Sequence, residues 1–235
     1  ARFARAYDLQ RKDRTALLYR MLSLGRRIEW SGTACGASHR VADPKGDRRH
    51  ATEKFAAQLA AAGIPSVPRS DLRFLAGDAT RYRVPSRAAI LVPGASPSRP
   101  LKRWPAAAFG AVAAQLQALG IVSVVVGTAQ ERDAARAIVA ACPGTIDLVG
   151  QTSIAELATL CRGAVVTIGN DTGPMHLAAL VGCPVVVLYA SDSDPAMTAP
   201  LGPSVSILQR ERMAEIAPED VIAAVRPIIP PPASP

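Results

Sequence analysis

Residues Gly169 to Ala179 read Gly-Asn-Asp-Thr-Gly-Pro-Met-His-Leu-Ala-Ala, which sets a carboxylate, a hydroxyl and an imidazole around two glycines at the entrance to an apolar helical run. Pro174 suits the first helical position, where a missing N–H costs nothing. The free N–H groups of such a start, with the roughly half positive charge of a helix N-terminus, can hold a phosphate at Thr172 and Gly173. Asp171 then faces sugar hydroxyls. A structural reading stands beside this one: Asp171 and Thr172 cap the helix, and His176 packs inside.

Two further stretches can bind the same kind of group. Pro93 to Pro105 is a long loop of small residues and prolines. In it Gly94 lets backbone approach a ligand, Ser96 offers a hydroxyl and Lys102 a point charge, while Pro105 suits the first turn of the next helix. The alternative is a proline-rich connector with a solvated lysine. Thr128 and Glu131 have the spacing of a reciprocal capping box, but a carboxylate one turn into a helix at a sheet edge can also accept both ribose hydroxyls of a nucleotide. Ser153 and Glu156 repeat the spacing, and capping alone accounts for them.

These loops need a scaffold, and the pattern after Ala88 supplies one. Strand-like runs at 88–92, 122–126, 146–149, 165–168 and 185–189 alternate with helical runs at 105–119, 130–140, 154–162 and 174–181, and a last strand near 205–208 and a helix over 219–228 complete the set. Strict alternation, with strands apolar on both faces, predicts a parallel sheet covered by helices on both sides, a doubly wound α/β domain. In such sheets ligands sit beyond the carboxyl ends of the strands, where the loops above fall. No G-x-G-x-x-G and no G-x-x-x-x-G-K-[ST] appears, which removes the main support for dinucleotide and P-loop readings.

The first third is less regular. Residues 6–9, 15–24 and 27–30 read as strand, helix and strand, 31–49 as a long polar loop, and 51–62 as an amphipathic helix stopped by Gly63. The expected organisation is a partial first domain over 1–75, a linker over 76–87, a second domain over 88–229 and a proline-rich tail over 230–235. The sequence opens at Ala1 with neither an initiator Met nor a signal peptide, and so reads as a fragment.

Bulk properties exclude several classes. With 49% hydrophobic and 20% charged residues in 235, the chain can bury a core and is not disordered throughout. Its longest apolar runs, such as 121–126 and 184–190, fall short of the about 20 residues a membrane helix needs. Cys35, Cys142, Cys161 and Cys183 show no C-x-x-C or Cys/His spacing, so they read as reduced thiols, and no metal or cofactor is expected. The net charge is +8, yet the arginines lack the interleaved aromatics of a stacking platform, so nucleic acid is not an expected partner. A basic surface suits an anionic membrane face, a phosphorylated glycolipid or a nucleotide diphosphate, and equally plain solvation.

Taken in order, P-G-A-S, K-R-W-P, V-V-V-G-T-A-Q-E, D-L-V-G-Q-T-S-I-A-E-L-A and G-N-D-T-G-P-M-H-L-A-A resemble glycosyltransferase family nine, the bacterial ADP-heptose:lipopolysaccharide heptosyltransferases. The resemblance runs from about residue 88 to 208 and reaches weakly into Tyr7-Asp8-Leu9-Gln10. It implies a GT-B fold: two Rossmann-like domains, the first incomplete here, with the donor on the second. Carried onto matching positions, Ser96 and Lys102 contact the diphosphate, Glu131 the ribose, Asp171 the heptose, and Thr172 and Gly173 the phosphates. His176 supports the loop or touches the donor. Lys102 and Asp171 become the catalytic candidates. The implied reaction is inverting transfer of a sugar, heptose by family, from a nucleoside diphosphate to a lipopolysaccharide-core-like glycolipid. The implied place is the cytoplasm, at the inner face of the inner membrane.

Two features depart from the family. Its opening strand and glycine-containing loop, with an Asp resembling a general base, have no counterpart here; Asp8, Asp13, Asp43, Asp47 and Asp71 match no such loop, and Asp13 is the nearest substitute. The expectation is therefore a chain that recognises donor but transfers no sugar by itself. After Tyr189 the family often shows a Gly/Thr/Pro turn, whereas Ala190-Ser191-Asp192-Ser193-Asp194-Pro195 stands here, a departure that bears on the donor's sugar and base. The rival readings are a noncatalytic nucleotide-sugar-binding module and a GT-B sugar-nucleotide epimerase.

Overall fold

The computed structural model describes residues 3–24, 28–42, 47–68, 70–96 and 98–229, so Asp43 and the tail at 230–235 lie outside the described residues. The chain divides into two compact units, Ala1–Arg69 with Ala196–Thr198, and Ser70–Pro195 with Ala199–Pro235.

In the smaller unit three short strands, β1 (Arg5–Tyr7), β2 (Glu29–Gly32) and β3 (His39–Arg40), pair in parallel in that order, with helices α1 (Asp13–Ser23) and α2 (Ala51–Ala61). The stretch 31–49 was expected to be a polar loop. Instead Ser31 and Gly32 continue β2, and His39 and Arg40 pair with them, because buried Trp30 and Ser31 place that strand against Gln58 of α2. Gln58 is fully buried and donates to the carbonyls of Asp8 and Ser31, fastening α2 to the first two strands. Asp8 is also occupied: its carboxylate accepts from the N–H groups of Gln10 and Arg11 and from the Thr15 hydroxyl at 2.6 Å. It shapes the entry to α1.

The larger unit holds a sheet of six parallel strands: β4 (Ala88–Val92), β5 (Val122–Val125), β6 (Ile146–Asp147), β7 (Val166–Asn170), β8 (Val185–Tyr189) and β9 (Val205–Gln209). Their spatial order is β6-β5-β4-β7-β8-β9, so the chain runs outward from β4 one way, then returns to β7 and runs outward the other way. The reversal opens a crevice at the carboxyl ends of β4 and β7. Every residue of β4, β7 and β8 is buried. Alternation sorts them between two layers: Ala89, Leu91, Ile168, Val186 and Leu188 pack with Phe109 and Ile138 on one face, while Ile90, Val92, Val187 and Tyr189 pack with Leu157 and Met175 on the other. The covering helices are α3 (Ala106–Ala118), α4 (Arg132–Ala141), α5 (Ile154–Gly163), α6 (Gly173–Leu180) and α8 (Pro218–Val225); a short α7 (Pro195–Thr198), which periodicity did not reveal, lies mostly in the stretch 196–198 that groups with the smaller unit. Cys142, Cys161 and Cys183 are buried and Cys35 exposed, all unpaired; burial pushes the Cys161 thiol up to about 12.

Residues 76–87, expected as a linker, belong with the larger unit, and the division falls at Arg69 and Ser70 rather than after 75. The reason lies in α5. Arg162 donates to the carbonyls of Leu72 and Leu75, the Gly77 N–H donates to Thr159, and Arg81 pairs with Glu156 at 2.8 Å. Polar groups that a free linker would leave to water are satisfied on the helix surface. No helix among the described residues is long and apolar enough to cross a membrane.

Candidate functional site

The loop after β4 is shaped by its two ends and one anchor. Trp104 is buried, meets Phe109 edge-on at 4.8 Å between ring centroids, and donates its indole N–H to the Ile216 carbonyl. That anchoring gives the Lys-Arg-Trp-Pro motif a physical meaning, because it fixes the short 3-10 turn (Pro100–Lys102) just before it. Asn170, fully buried at the end of β7, then ties both ends of the loop together. Its amide donates to the carbonyls of Pro93 and Gly94 at 2.8 and 3.1 Å, and its oxygen accepts from the Trp104 N–H at 3.1 Å. Between Asn170 and Val92 the strands approach so closely that a Cβ added at Gly169 would lie 2.6 Å from Val92 Cβ and 2.8 Å from Met175 Sδ. Only glycine fits.

At the crevice lies a cavity of about 400 Å³ lined by the loop after β4 (Gly94, Ala95, Ser96), the turn after β5 (Gly127, Thr128, Glu131), the start of α5 (Thr152, Ser153, Ile154) and the start of α6 (Thr172, Pro174). Val92, Val126 and Leu157 form its apolar wall. Glu131 closes a capping box: its carboxylate accepts from the Thr128 N–H and hydroxyl, both at 2.8 Å. It is nevertheless part of the cavity wall, lying against Gly94 and Gly127, where an added Cβ would approach its side chain to 3.0 Å. Both readings of Glu131 are thus compatible with its position. Ser153 and Glu156 form the expected box, with Ser153 Oγ accepting from the Glu156 N–H and Glu156 accepting from the Ser153 N–H. The hydrogen bonds from Ser153 hold the Glu156 carboxyl below its ordinary range. Ser153 also lines the cavity, which capping alone did not anticipate.

Of the residues singled out by sequence, Ser96, Glu131 and Thr172 line this cavity. Ser96 is exposed and its hydroxyl lies 2.9 Å from that of Ser98. Thr172 stands at the N-cap of α6 without capping it, since its hydroxyl donates to the Asn170 carbonyl. Gly173 is exposed, with open space where a Cβ would be. Lys102 and Asp171 come together beside the cavity instead: Lys102 Nζ donates to Asp171 Oδ2 at 2.5 Å, and the two side chains keep only 11% and 8% of their exposure. Lys102 is therefore no solvated connector residue. Tyr189 donates to Asp171 Oδ1 and Ser193 to Asp171 Oδ2, each at 3.2 Å. His176 is half-buried on α6. Asn170, Tyr189 and Ser193 carry no assigned role in the sequence reading; the signals that point to them are the place of Asn170 in the Gly169–Ala179 motif and of Ser193 in the departing turn after Tyr189. Among the described residues no group of three or more His, Cys, Asp or Glu is placed to hold a metal.

Solved structures share this architecture. The structure of the E. coli ADP-heptose lps heptosyltransferase II matches with a TM-score of 0.74 at 22% identity, over 96% of this chain and 76% of that one. A family 9 glycosyltransferase from Veillonella parvula matches at 0.77 with 20% identity, over 95% and 73%. E. coli heptosyltransferase WaaC, solved with ADP, matches at 0.72 with 19% identity, over 97% and 73%. The fold is that of the GT-B glycosyltransferases. Within that class the chain belongs to glycosyltransferase family 9 (heptosyltransferase), whose family model matches residues 1–222. Curated relatives agree: lipooligosaccharide heptosyltransferase 2 of Haemophilus influenzae is 31% identical over 115 residues, and lipopolysaccharide heptosyltransferase 2 of E. coli K12 is 32% identical over 115. Those stretches cover 47% of this chain and 33% of each relative, so the match spans about a third of the relatives' length.

Proposed function

We propose that the protein acts as an inverting glycosyltransferase that moves heptose from ADP-heptose to a lipopolysaccharide-core-like glycolipid on the cytoplasmic side of the inner membrane. The observation that carries the reading is the cavity at the β4–β7 reversal, framed by the loop segments that mark the family. A nucleoside fits its apolar wall, with Glu131 accepting ribose hydroxyls. The diphosphate lies across Ser96 and the α6 start at Thr172 and Gly173, where free N–H groups and the helix dipole favour negative charge. Asp171 faces the heptose, and Lys102 beside it supplies the positive charge that answers the charge developing on the departing diphosphate. His176 supports the loop from within α6. No step requires a resident cofactor. The basic net charge of +8 suits an anionic, phosphorylated acceptor and a peripheral stay at an anionic membrane face.

Calorimetry with ADP and ADP-heptose tests donor recognition, and ADP release with and without a lipopolysaccharide-core acceptor tests transfer. Binding of ADP-heptose by this chain is the expected result, and acceptor-dependent ADP release is expected once a first domain that supplies the general base is present. Binding without release in that longer protein favours a noncatalytic module, and release that ignores acceptor favours an epimerase or hydrolase. No affinity for any nucleoside diphosphate at millimolar concentration overturns the reading.

A further inference from the structure

The residues after β8 are where this sequence leaves the family pattern, and they reach the carboxylate that the family reading points at the sugar. Asp171 follows the end of β7, and its N–H donates to the Leu188 carbonyl of β8. Its side chain is then held from three sides: Lys102 on Oδ2, Ser193 on Oδ2 and Tyr189 on Oδ1. A carboxylate offers about four acceptor positions, so these donors leave about one of them on Oδ1 for a ligand hydroxyl.

The two hydroxyl donors are rigid for different reasons. The Tyr189 ring is 1% exposed and packed in the layer with Met175 and Leu157, so its hydroxyl extends from a fixed body. Ser193 is buried in the turn after β8; its N–H donates to the Ala190 carbonyl, and its own carbonyl accepts from Gln209 Nε2 of β9 at 3.1 Å. Asp171 is thereby referenced to β7, β8 and β9. Lys102 reaches it on a flexible four-carbon stem from a loop.

We propose that Tyr189 and Ser193 are positioning residues that orient the Asp171 carboxylate for the donor's sugar, so that the Ala190–Asp194 turn tunes sugar recognition without touching the nucleotide. The inference rests on the reading of Asp171 as the sugar-facing group. A residue that merely maintained the fold would affect ADP and ADP-heptose alike, because ADP is held in the cavity; one acting through Asp171 affects only the sugar-bearing ligand.

The test is calorimetry on the 235-residue chain with both ligands for Asp171→Asn, Tyr189→Phe, Ser193→Ala and the double variant Tyr189→Phe/Asp171→Asn. Far-UV circular dichroism and melting check folding. Losing one neutral hydrogen bond should raise the dissociation constant for ADP-heptose about threefold to tenfold in Tyr189→Phe and in Ser193→Ala, with ADP unchanged. Ser193→Thr, which keeps the hydroxyl, should restore binding. In the double variant the Tyr189→Phe effect should vanish, as expected for two groups acting together. If Asp171→Asn leaves the ratio of the two affinities unaltered, the sugar-facing reading fails and the proposal with it. If Asp171→Asn changes that ratio while Tyr189→Phe and Ser193→Ala do not, only the proposal fails. Should Tyr189→Phe melt early, Ser193→Ala with its threonine rescue decides the matter alone.

Discussion

The site has two halves of contrasting physics. The cavity between β4, β5 and the starts of α5 and α6 is walled by Val92, Val126 and Leu157, with polar groups at its rim. The cluster at the ends of β7 and β8 is closed, and its Lys102, Asp171, Tyr189 and Ser193 spend their polar groups on one another. An apolar wall is formed before any ligand arrives and gains by losing water. A buried ion pair largely spends its attraction on its own desolvation, so what it secures is the geometry in which Asp171 keeps an acceptor position on Oδ1 for a ligand. The lesson is that shape is prepared in one half and charge in the other.

The sharpest way to break the contrast is Lys102→Met. Removing one member of a buried pair leaves an uncompensated carboxylate, so urea unfolding should show a loss of about 3–5 kcal/mol. A loss under about 1 kcal/mol, the range for exposed pairs, would mean that the cluster is solvated after all.

Next comes the matched pair of capping boxes, one motif at two places on the cavity rim. Glu131→Ala should weaken ADP binding on the order of tenfold to a hundredfold, as for losing a hydrogen bond to a charged group. Glu156→Ala should leave ADP affinity as it was, since Glu156 is engaged by Ser153 and Arg81. Equal effects in calorimetry would erase the distinction between the two boxes.

A smaller effect is expected where the halves meet. Gly169→Ala pushes a methyl into Val92 and Met175 and should cost about 1–3 kcal/mol, read from thermal melting, as overpacking does. A neutral result would mean that β4 and β7 can part without loss.

The smallest concerns pH. Glu156 has its folded-state carboxyl lowered, first by the backbone N–H of Ser153. Its contribution to stability is therefore full above the ordinary 4.5 and is lost as pH falls through the lowered folded-state value. The melting temperature of the native chain should drop across that window more steeply than that of Glu156→Gln. Parallel curves would show that this box is not coupled to folding.

Local periodicity was enough to read the larger unit. Strands such as β4 and β8, apolar on both faces and bounded by Gly and Pro, announce themselves because a parallel sheet buried on both sides demands that composition. Ser96, Glu131 and Thr172 could be named because each sits in a strand-end loop, and strand-end loops of such a sheet are adjacent by topology. The smaller unit was harder. β3 has only two residues, too few for alternation to register, whereas α1, read as a helix over 15–24, spans Asp13–Ser23 although it buries none of its side chains.

What the sequence determined by itself was the order of strands and helices, the family and the residue types on the rim, all of which depend on patterns within a few turns of chain. Only the tertiary structure decided how Lys102 would spend its charge, because Asp171 is 69 residues away and no local rule links them. The same holds for Asn170, whose amide reaches back 77 residues to Pro93. It holds for the segment 76–87, whose polar groups found α5 instead of water. Spacing encodes what neighbours in the chain can do for one another, and burial, which settles what a charge or an amide must pair with, is a property of the folded whole.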